Sequence, residues 1–338
     1  VLNSIFALFA GKAYAIFALL FGFTFYMQSN NQKKQGKDFG YRFLWRLALL
    51  GVFATWNAAF FPAGDVLLLF VVVGVVLFLT RSWSDRAIGV AAVVLLLQPV
   101  EWYHYIANLI NPAHRLPDLK VAEMYGEVAD YTKAGNWRDF LLGNVTLGQK
   151  ASFLWAVNAG RFVQTAGLFL LGFFIGRKQL FMTNEKNIVF WTKVLIISAI
   201  SFAPLYTLKE LVMENDPIVQ QTVGTAFDMW QKLAFTLVLV ASFILLYQHK
   251  NFSKAVAGLR FYGKMSLTNY ISQSIIGAFI YFPIGLNLAP YCGYTLSLSV
   301  GFLIFLLQLK FCKWWLARHK QGPLEYIWHK CTWIGTGK

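Results

Sequence analysis

Apolar residues fall in nine long runs along this chain, near 8–27, 44–61, 65–80, 86–107, 153–176, 188–208, 230–248, 266–285 and 294–315. A membrane-crossing helix needs about 20 predominantly apolar residues, and the runs approach that length. The second and third are short. Between them lies Phe61-Pro62-Ala63-Gly64, and such a Pro/Gly pair reads as a tight helical hairpin turn. The stretch 108–152 is too long to be a plain connector. It predicts short amphipathic helices lying on one face of the membrane.

The polar positions between the runs carry a second pattern. Segment 28–43 holds Lys33, Lys34, Lys37 and Arg42 against Asp38, and segment 81–86 holds Arg81 and Arg86. Segment 177–187 holds Arg177, Lys178 and Lys186, and segment 249–265 holds Lys250, Lys254, Arg260 and Lys264. The tail is basic as well, through Lys310, Lys313, Arg318, Lys320, Lys330 and Lys338. The intervening connections are uncharged, balanced or acidic. Basic loops mark the cytoplasmic side, so the alternation predicts a cytoplasmic C-terminus and an external Val1. A chain with both ends inside would then have one more helix before Val1, ten spans in all.

Composition agrees with this class. The chain of 338 residues is 57% hydrophobic and 13% charged, against roughly 25% charged in soluble domains. The expectation is all-α: a polytopic transmembrane helix bundle, one domain over 1–338 with an external loop at 108–152, in contact with the lipid bilayer. The net charge of +15 follows from the basic loops, and no nucleic-acid module accompanies it. Cys292, Cys312 and Cys331 have no local pairing, so neither a disulfide framework nor a metal site is expected. P-loop, G-x-S-x-G, H-E-x-x-H and EF-hand patterns are absent, and no G-x-x-x-G packing motif stands out.

Ionisable groups at or within spans are costly and mark functional sites. Lys12, Asp65, Glu101, His104 and Arg161 all fall toward the external side of the predicted topology, with Asn57, Asn158 and Gln164 at similar depth. Drawn from different helices, they would line one externally open cavity. Glu101 and His104, three residues apart, share a helix face. A carboxylate orienting an imidazole is a general-base arrangement; the same residues among Trp102, Tyr103 and Tyr105 also suit an interfacial aromatic belt. Asp65 reads as a helix cap or as counter-ion to Arg161 or Lys12. Arg161 and Lys12 read as clamps for an anionic group or as side chains reaching headgroups.

The stretch Gly263–Ser274, GKMSLTNYISQS, begins an apolar run with many hydrogen-bonding side chains. At about 100° per residue, Leu267, Ile271 and Ile275 share one side, while Ser266, Thr268, Asn269, Ser272 and Gln273 gather on the other. Unsatisfied amides in lipid cost several kcal/mol, so this half faces protein or a cavity. Asn269 and Gln273 then either bond between helices or hold a ligand in an inner vestibule.

GKMSLTNYISQS together with QGPLEYIWHKCTW (321–333) resembles the C-terminal signature, here 263–333, of the YeiB-like bacterial membrane proteins, domain of unknown function 418. GKAYAIFALLFGFTF (11–25), RLALLGVF with AGDVLLLFVVVGVVL (46–77) and GRFVQTAGLFLLGFFIGR (160–177) resemble further helices of that family. Its members begin with an additional helix and often carry His where Asn57 stands and Arg where His329 stands. The family is distantly similar to the transmembrane acyltransferases. The resemblance implies a bacterial inner-membrane protein and acyl transfer from a cytoplasmic thioester to an envelope glycan or lipid. No bound cofactor is expected, acyl-CoA being a co-substrate. In that reading Glu101 and His104 are catalytic, and Asp65, Arg161, Lys12, Asn269 and Gln273 bind substrate. The alternative is a transporter or flippase for a small or lipid-linked solute.

Overall fold

The computed structural model describes residues 11–334, so the start of the first apolar run and Lys338 lie outside the described residues. Every run nevertheless falls on helix. In chain order these are α1 (Lys12–Lys33), α2 (Gly40–Phe60), α3 (Leu67–Thr80), α4 (Asp85–Leu96) and α5 (Pro99–Ile110). Then follow α6 (Val121–Lys133), α7 (Trp137–Asn158), α8 (Arg161–Arg177), α9 (Glu185–Met213) and α10 (Pro217–Tyr247). The last part comprises α11 (Lys250–Val256), α12 (Leu259–Lys264), α13 (Ser266–Tyr281), α14 (Tyr294–Leu316) and α15 (Pro323–Thr332). No strand occurs among the described residues.

Among the described residues, five helical segments are long and apolar enough to cross a membrane on their own: Gly40–Phe60, Pro62–Thr80, Glu185–Met213, Pro217–Tyr247 and Tyr294–Leu316. There are up to 7 candidates if each of two bent pairs is one span. α13, at 16 residues, is shorter than a full crossing.

Both bent pairs interrupt runs that read as continuous in the sequence. α4 and α5 meet at 48°, and α7 and α8 at 76°. At the first break Gln98 takes φ 59 immediately before Pro99, where proline disfavours the right-handed helical conformation of its predecessor. At the second, Gly160 takes φ 62, a conformation that glycine adopts without steric cost.

The core forms where α1 lies against α8. A Cβ on Gly22 would come within 1.9 Å of the Phe169 carbonyl oxygen, and one on Gly172 within 1.9 Å of that of Leu19. Gly172 and Gly176 both sit on this contact, so GFFIG is a G-x-x-x-G packing motif that the sequence reading passed over. Phe21, Phe25, Phe43, Phe70, Phe169 and Phe173 interleave beside it. These rings give the bundle its aromatic centre.

Several basic connections meet at one end of the bundle, called the basic end below. Asp85 pairs with Arg177 (2.8 Å) and Lys178 (2.7 Å). Arg42 donates to the Thr332 carbonyl at 2.9 Å, and the Trp45 indole to that of Cys331 at 3.0 Å. At the hairpin end, the 108–152 stretch supplies α6 and most of α7, which pack over Pro62 and the end of α2. Asn144 donates to the Ala59 carbonyl at 2.9 Å and accepts from the Tyr131 hydroxyl at 2.9 Å. Burial pushes that hydroxyl's pKa up to about 12.

Candidate functional site

α13 starts at a carboxylate supplied from elsewhere in the chain. Glu325, in the GPLEY tail motif, accepts from the Leu267 and Thr268 amides (2.7 and 3.0 Å) and from the Thr268 hydroxyl (2.6 Å). These amides would otherwise be unpaired at a helix N-terminus, and the negative charge suits the helix dipole. The two halves of the C-terminal signature are therefore one structural unit.

The polar half of α13 is spent largely on α14. Asn269 donates to the Tyr262 carbonyl at 3.1 Å and contacts the Cys312 sulfur at 3.3 Å. Gln273 donates to the Tyr262 hydroxyl (2.8 Å) and to Gln308 Oε1 (2.9 Å), while Gln308 donates to Ser272 at 2.8 Å. The interhelical alternative is thus what the geometry displays for Asn269. Gln273 combines it with a place in a cavity wall.

Facing α2 and the hairpin, α13 makes a second network. Ser274 donates to Asn57 Oδ1 at 2.6 Å, and Asn57 donates to Asp65 Oδ1 at 3.1 Å. Asp65 accepts from the Leu67 and Leu68 amides at 3.2 and 3.3 Å, as a cap for α3. The Tyr270 hydroxyl donates to the Gly64 carbonyl at 2.7 Å and accepts from the Val66 amide at 3.3 Å. Asp65 forms no ion pair with Arg161 or Lys12.

Tyr270 separates two cavities and lines both. The first has a volume of about 340 Å³. Phe17, Phe21, Leu50, Leu67 and Phe70 form its inner walls, and Gln28, Arg46, Gly263, Ser266 and Trp328 border it toward the basic end. The second, about 440 Å³, is bounded by Phe61, Gly64, Gln273, Ser274, Gly277 and Phe282. Tyr270 is thus shared by the two chambers, next to the hydrogen-bond chain Ser274–Asn57–Asp65. Among residues lining the two cavities there is no histidine.

The remaining expected site residues are distributed rather than gathered in one cavity. Glu101, beside the first helix break, lies against Gly160 at the second, the residue before Arg161. A Cβ on Gly160 would lie 2.9 Å from Glu101 Oε1 and 3.5 Å from Gln98 Oε1. Gln98 is 0% exposed, and neither of its amide atoms has a hydrogen-bond partner among the described residues. Arg161, also buried, stacks over the Tyr14 ring at 4.8 Å and donates to Gln164 at 3.3 Å, leaving its Nε unpaired. Lys12 is buried over the Phe235 ring, near the Asp228 carboxylate that Lys209 and Lys232 already hold.

His104 does not pair with Glu101. Its Nδ1 lies 3.1 Å from His114 Nε2, with the two rings stacked at 5.4 Å. The i, i+3 spacing placed Glu101 and His104 on neighbouring parts of one helix surface. The chain after α5 then folds back and presents His114 instead. Sequence reading overlooked Arg46 and Tyr270. Arg46 carried a usable signal, an ionisable group inside an apolar run; Tyr270 carried none.

These features define a class: an all-helical membrane protein with apolar crossing helices, two chambers and a polar junction between them. Over residues 175–335 the chain matches the family model described as Protein of unknown function (DUF418). This match includes the whole of the C-terminal signature, so the resemblance to domain of unknown function 418 is shown there. A protein of Bacillus subtilis (strain 168), "Uncharacterized protein YxaH", is 22% identical over 347 residues, covering 96% of this chain and 79% of the relative. A Bacillus acidopullulyticus protein, "Uncharacterized 39.9 kDa protein in amylase 3'region", is 37% identical over 91 residues, covering 26% of this chain and 25% of its own length. No solved structure matches the chain.

Proposed function

We propose that the protein transfers an acyl group from a thioester, entering at the basic end, to a hydroxyl acceptor entering from the hairpin end. The supporting observation is the pair of chambers meeting at Tyr270. In this reading nine spans of the chain sit in a bacterial inner membrane, the basic end is cytoplasmic, and the acceptor is an envelope glycan or lipid. The donor's carbonyl reaches the junction from the first chamber. The acceptor oxygen attacks it, the C–O ester bond forms, the C–S bond breaks, and the acceptor's proton leaves with the thiol. Tyr270 and Ser274 offer hydroxyls at the meeting point; Asn57 and Asp65 position Ser274, and the Gly64 carbonyl and Val66 amide position Tyr270. The chemistry is assigned to this junction and not to Glu101 and His104, because those two do not form a dyad.

The test uses purified full-length protein in liposomes with a radiolabelled acyl thioester and an envelope lipid and glycan extract. Label is expected in the acceptor fraction. Gly277→Leu is expected to block it, since a Cβ at Gly277 meets nothing within 4 Å and a larger side chain would fill the second chamber. Consumption of thioester without labelled acceptor, or undiminished transfer in Gly277→Leu, would sink the reading.

The second reading is passage of a lipid-linked solute. The facing breaks favour it, because interrupted helices with buried polar groups build transporter sites. Flux in the same liposomes without thioester would select it over transfer.

A further inference from the structure

The first chamber has a composition that points to a particular class of ligand. Along α1 its wall runs from Phe17 to Gln28, roughly 16 Å at 1.5 Å per residue. Its volume of about 340 Å³ falls within the ~300–1,000 Å³ of small-molecule sites. The deep part is hydrocarbon: Phe17, Phe21, Leu50, Leu67 and Phe70. Toward the basic end it meets a single charged side chain, Arg46, and no acidic one.

Arg46 is held but not neutralised. Its guanidinium lies over the Trp328 ring at 4.1 Å, and the Trp328 indole donates to the Arg46 carbonyl at 3.2 Å. No carboxylate pairs with it among the described residues. Stacking fixes the guanidinium plane while leaving its N–H edge available, and a planar fork of N–H groups is the preferred partner of a phosphate or carboxylate. Gln28 and Ser266 add uncharged polar groups beside it.

We infer that this chamber binds a linear amphiphile, a hydrocarbon chain among the phenylalanines of α1, α2 and α3 with a phosphate or carboxylate head on Arg46. This deepens the transfer reading and rests on it for one point: the amphiphile is then the acyl donor, so the acyl group is a chain of several carbons and not acetyl. Phosphate heads reach such a site from two sources, a water-soluble acyl thioester carrier or an inner-leaflet lipid.

The test is photolabelling of full-length protein in zwitterionic nanodiscs. The probes are a diazirine-bearing alkyl phosphate and the alcohol of the same chain length, with labelled peptides mapped by mass spectrometry. The phosphate probe is expected to label the Phe17–Gln28 and Arg46–Leu50 walls saturably. Arg46→Gln is expected to lower that labelling about tenfold, the loss of a charge-assisted contact, and to leave the alcohol unchanged. Gly263→Leu is expected to lower both, because a Cβ there meets nothing within 4 Å and the side chain enters the chamber. Leu20→Trp obstructs the same chamber from α1, and thermal melts confirm that each variant folds. Competition by a soluble long-chain acyl thioester, but not by phosphatidic acid, identifies the aqueous source; the reverse identifies the lipid.

Labelling spread evenly over lipid-facing α9 and α14, and equal in all variants, means annular lipid only and overturns the inference. Saturable, Arg46-dependent labelling in a protein without transfer activity rejects the transfer reading and leaves the site standing. Transfer that survives both Arg46→Gln and Gly263→Leu rejects the site and leaves the transfer reading standing.

Discussion

Glu325 joins two sequence motifs by three hydrogen bonds to the start of α13, across 57 and 58 residues of chain. Contacts of this kind to a charged acceptor contribute about 1.5–3 kcal/mol. Glu325→Ala is therefore expected to destabilise the purified protein by ~2 kcal/mol, seen as a lowered thermal midpoint, and Glu325→Gln by less. Equal midpoints for Glu325→Ala and the parent would remove the cap from the account. Pro323 starts α15 and leaves Glu325 in its first turn, a placement that proline at a first helical position favours. The partner of Glu325 was not legible, since which helix end a carboxylate meets depends on packing of distant segments. The same holds for His104, whose partner His114 lies beyond the end of its helix.

Helices report the next scale. Gly22 and Gly172 let α1 and α8 touch backbone to backbone, and lipid provides no hydrophobic drive to hold helices that cannot approach closely. Gly172→Leu is expected to force them apart, costing ~1–3 kcal/mol of overpacking strain or more, measured as loss of monodisperse protein on gel filtration. Gly277→Ala, with open space around it, is the neutral control. A second expectation concerns α6. The Tyr131 hydroxyl is protonated in the fold up to about pH 12, against an ordinary value near 10. Its folded pKa is the higher one, so the stability it contributes is present below pH 10 and lost as pH rises toward 12. Hydrogen exchange of residues 121–148 should accelerate across that window, and Tyr131→Phe should flatten the dependence. Helix existence was legible from apolar runs alone. The two breaks were marked by Gln98-Pro99 and Gly160, yet a continuous apolar run outweighed one proline or glycine in the reading.

At the scale of the whole molecule the two chambers give function its geometry. If the basic end faces the cytoplasm, cysteines introduced at Lys34 and Lys320 should resist a membrane-impermeant maleimide in intact cells, and one introduced at Lys120 should react. Labelling of the first two from outside would invert the orientation. Asp65→Asn should leave binding in the first chamber intact while lowering transfer, since it weakens the junction and not the Arg46 wall. The chain by itself pointed to the solvent: long apolar runs cannot be buried in one another within water, while the alternation of basic loops predicts an orientation. It also determined which helices carry polar side chains. Tertiary packing alone decided their use, turning Asn269 inward to α14, parting Glu101 from His104, and setting Tyr270 between two chambers. Those outcomes depend on contacts between residues far apart in sequence, where hydrophobic periodicity carries no information.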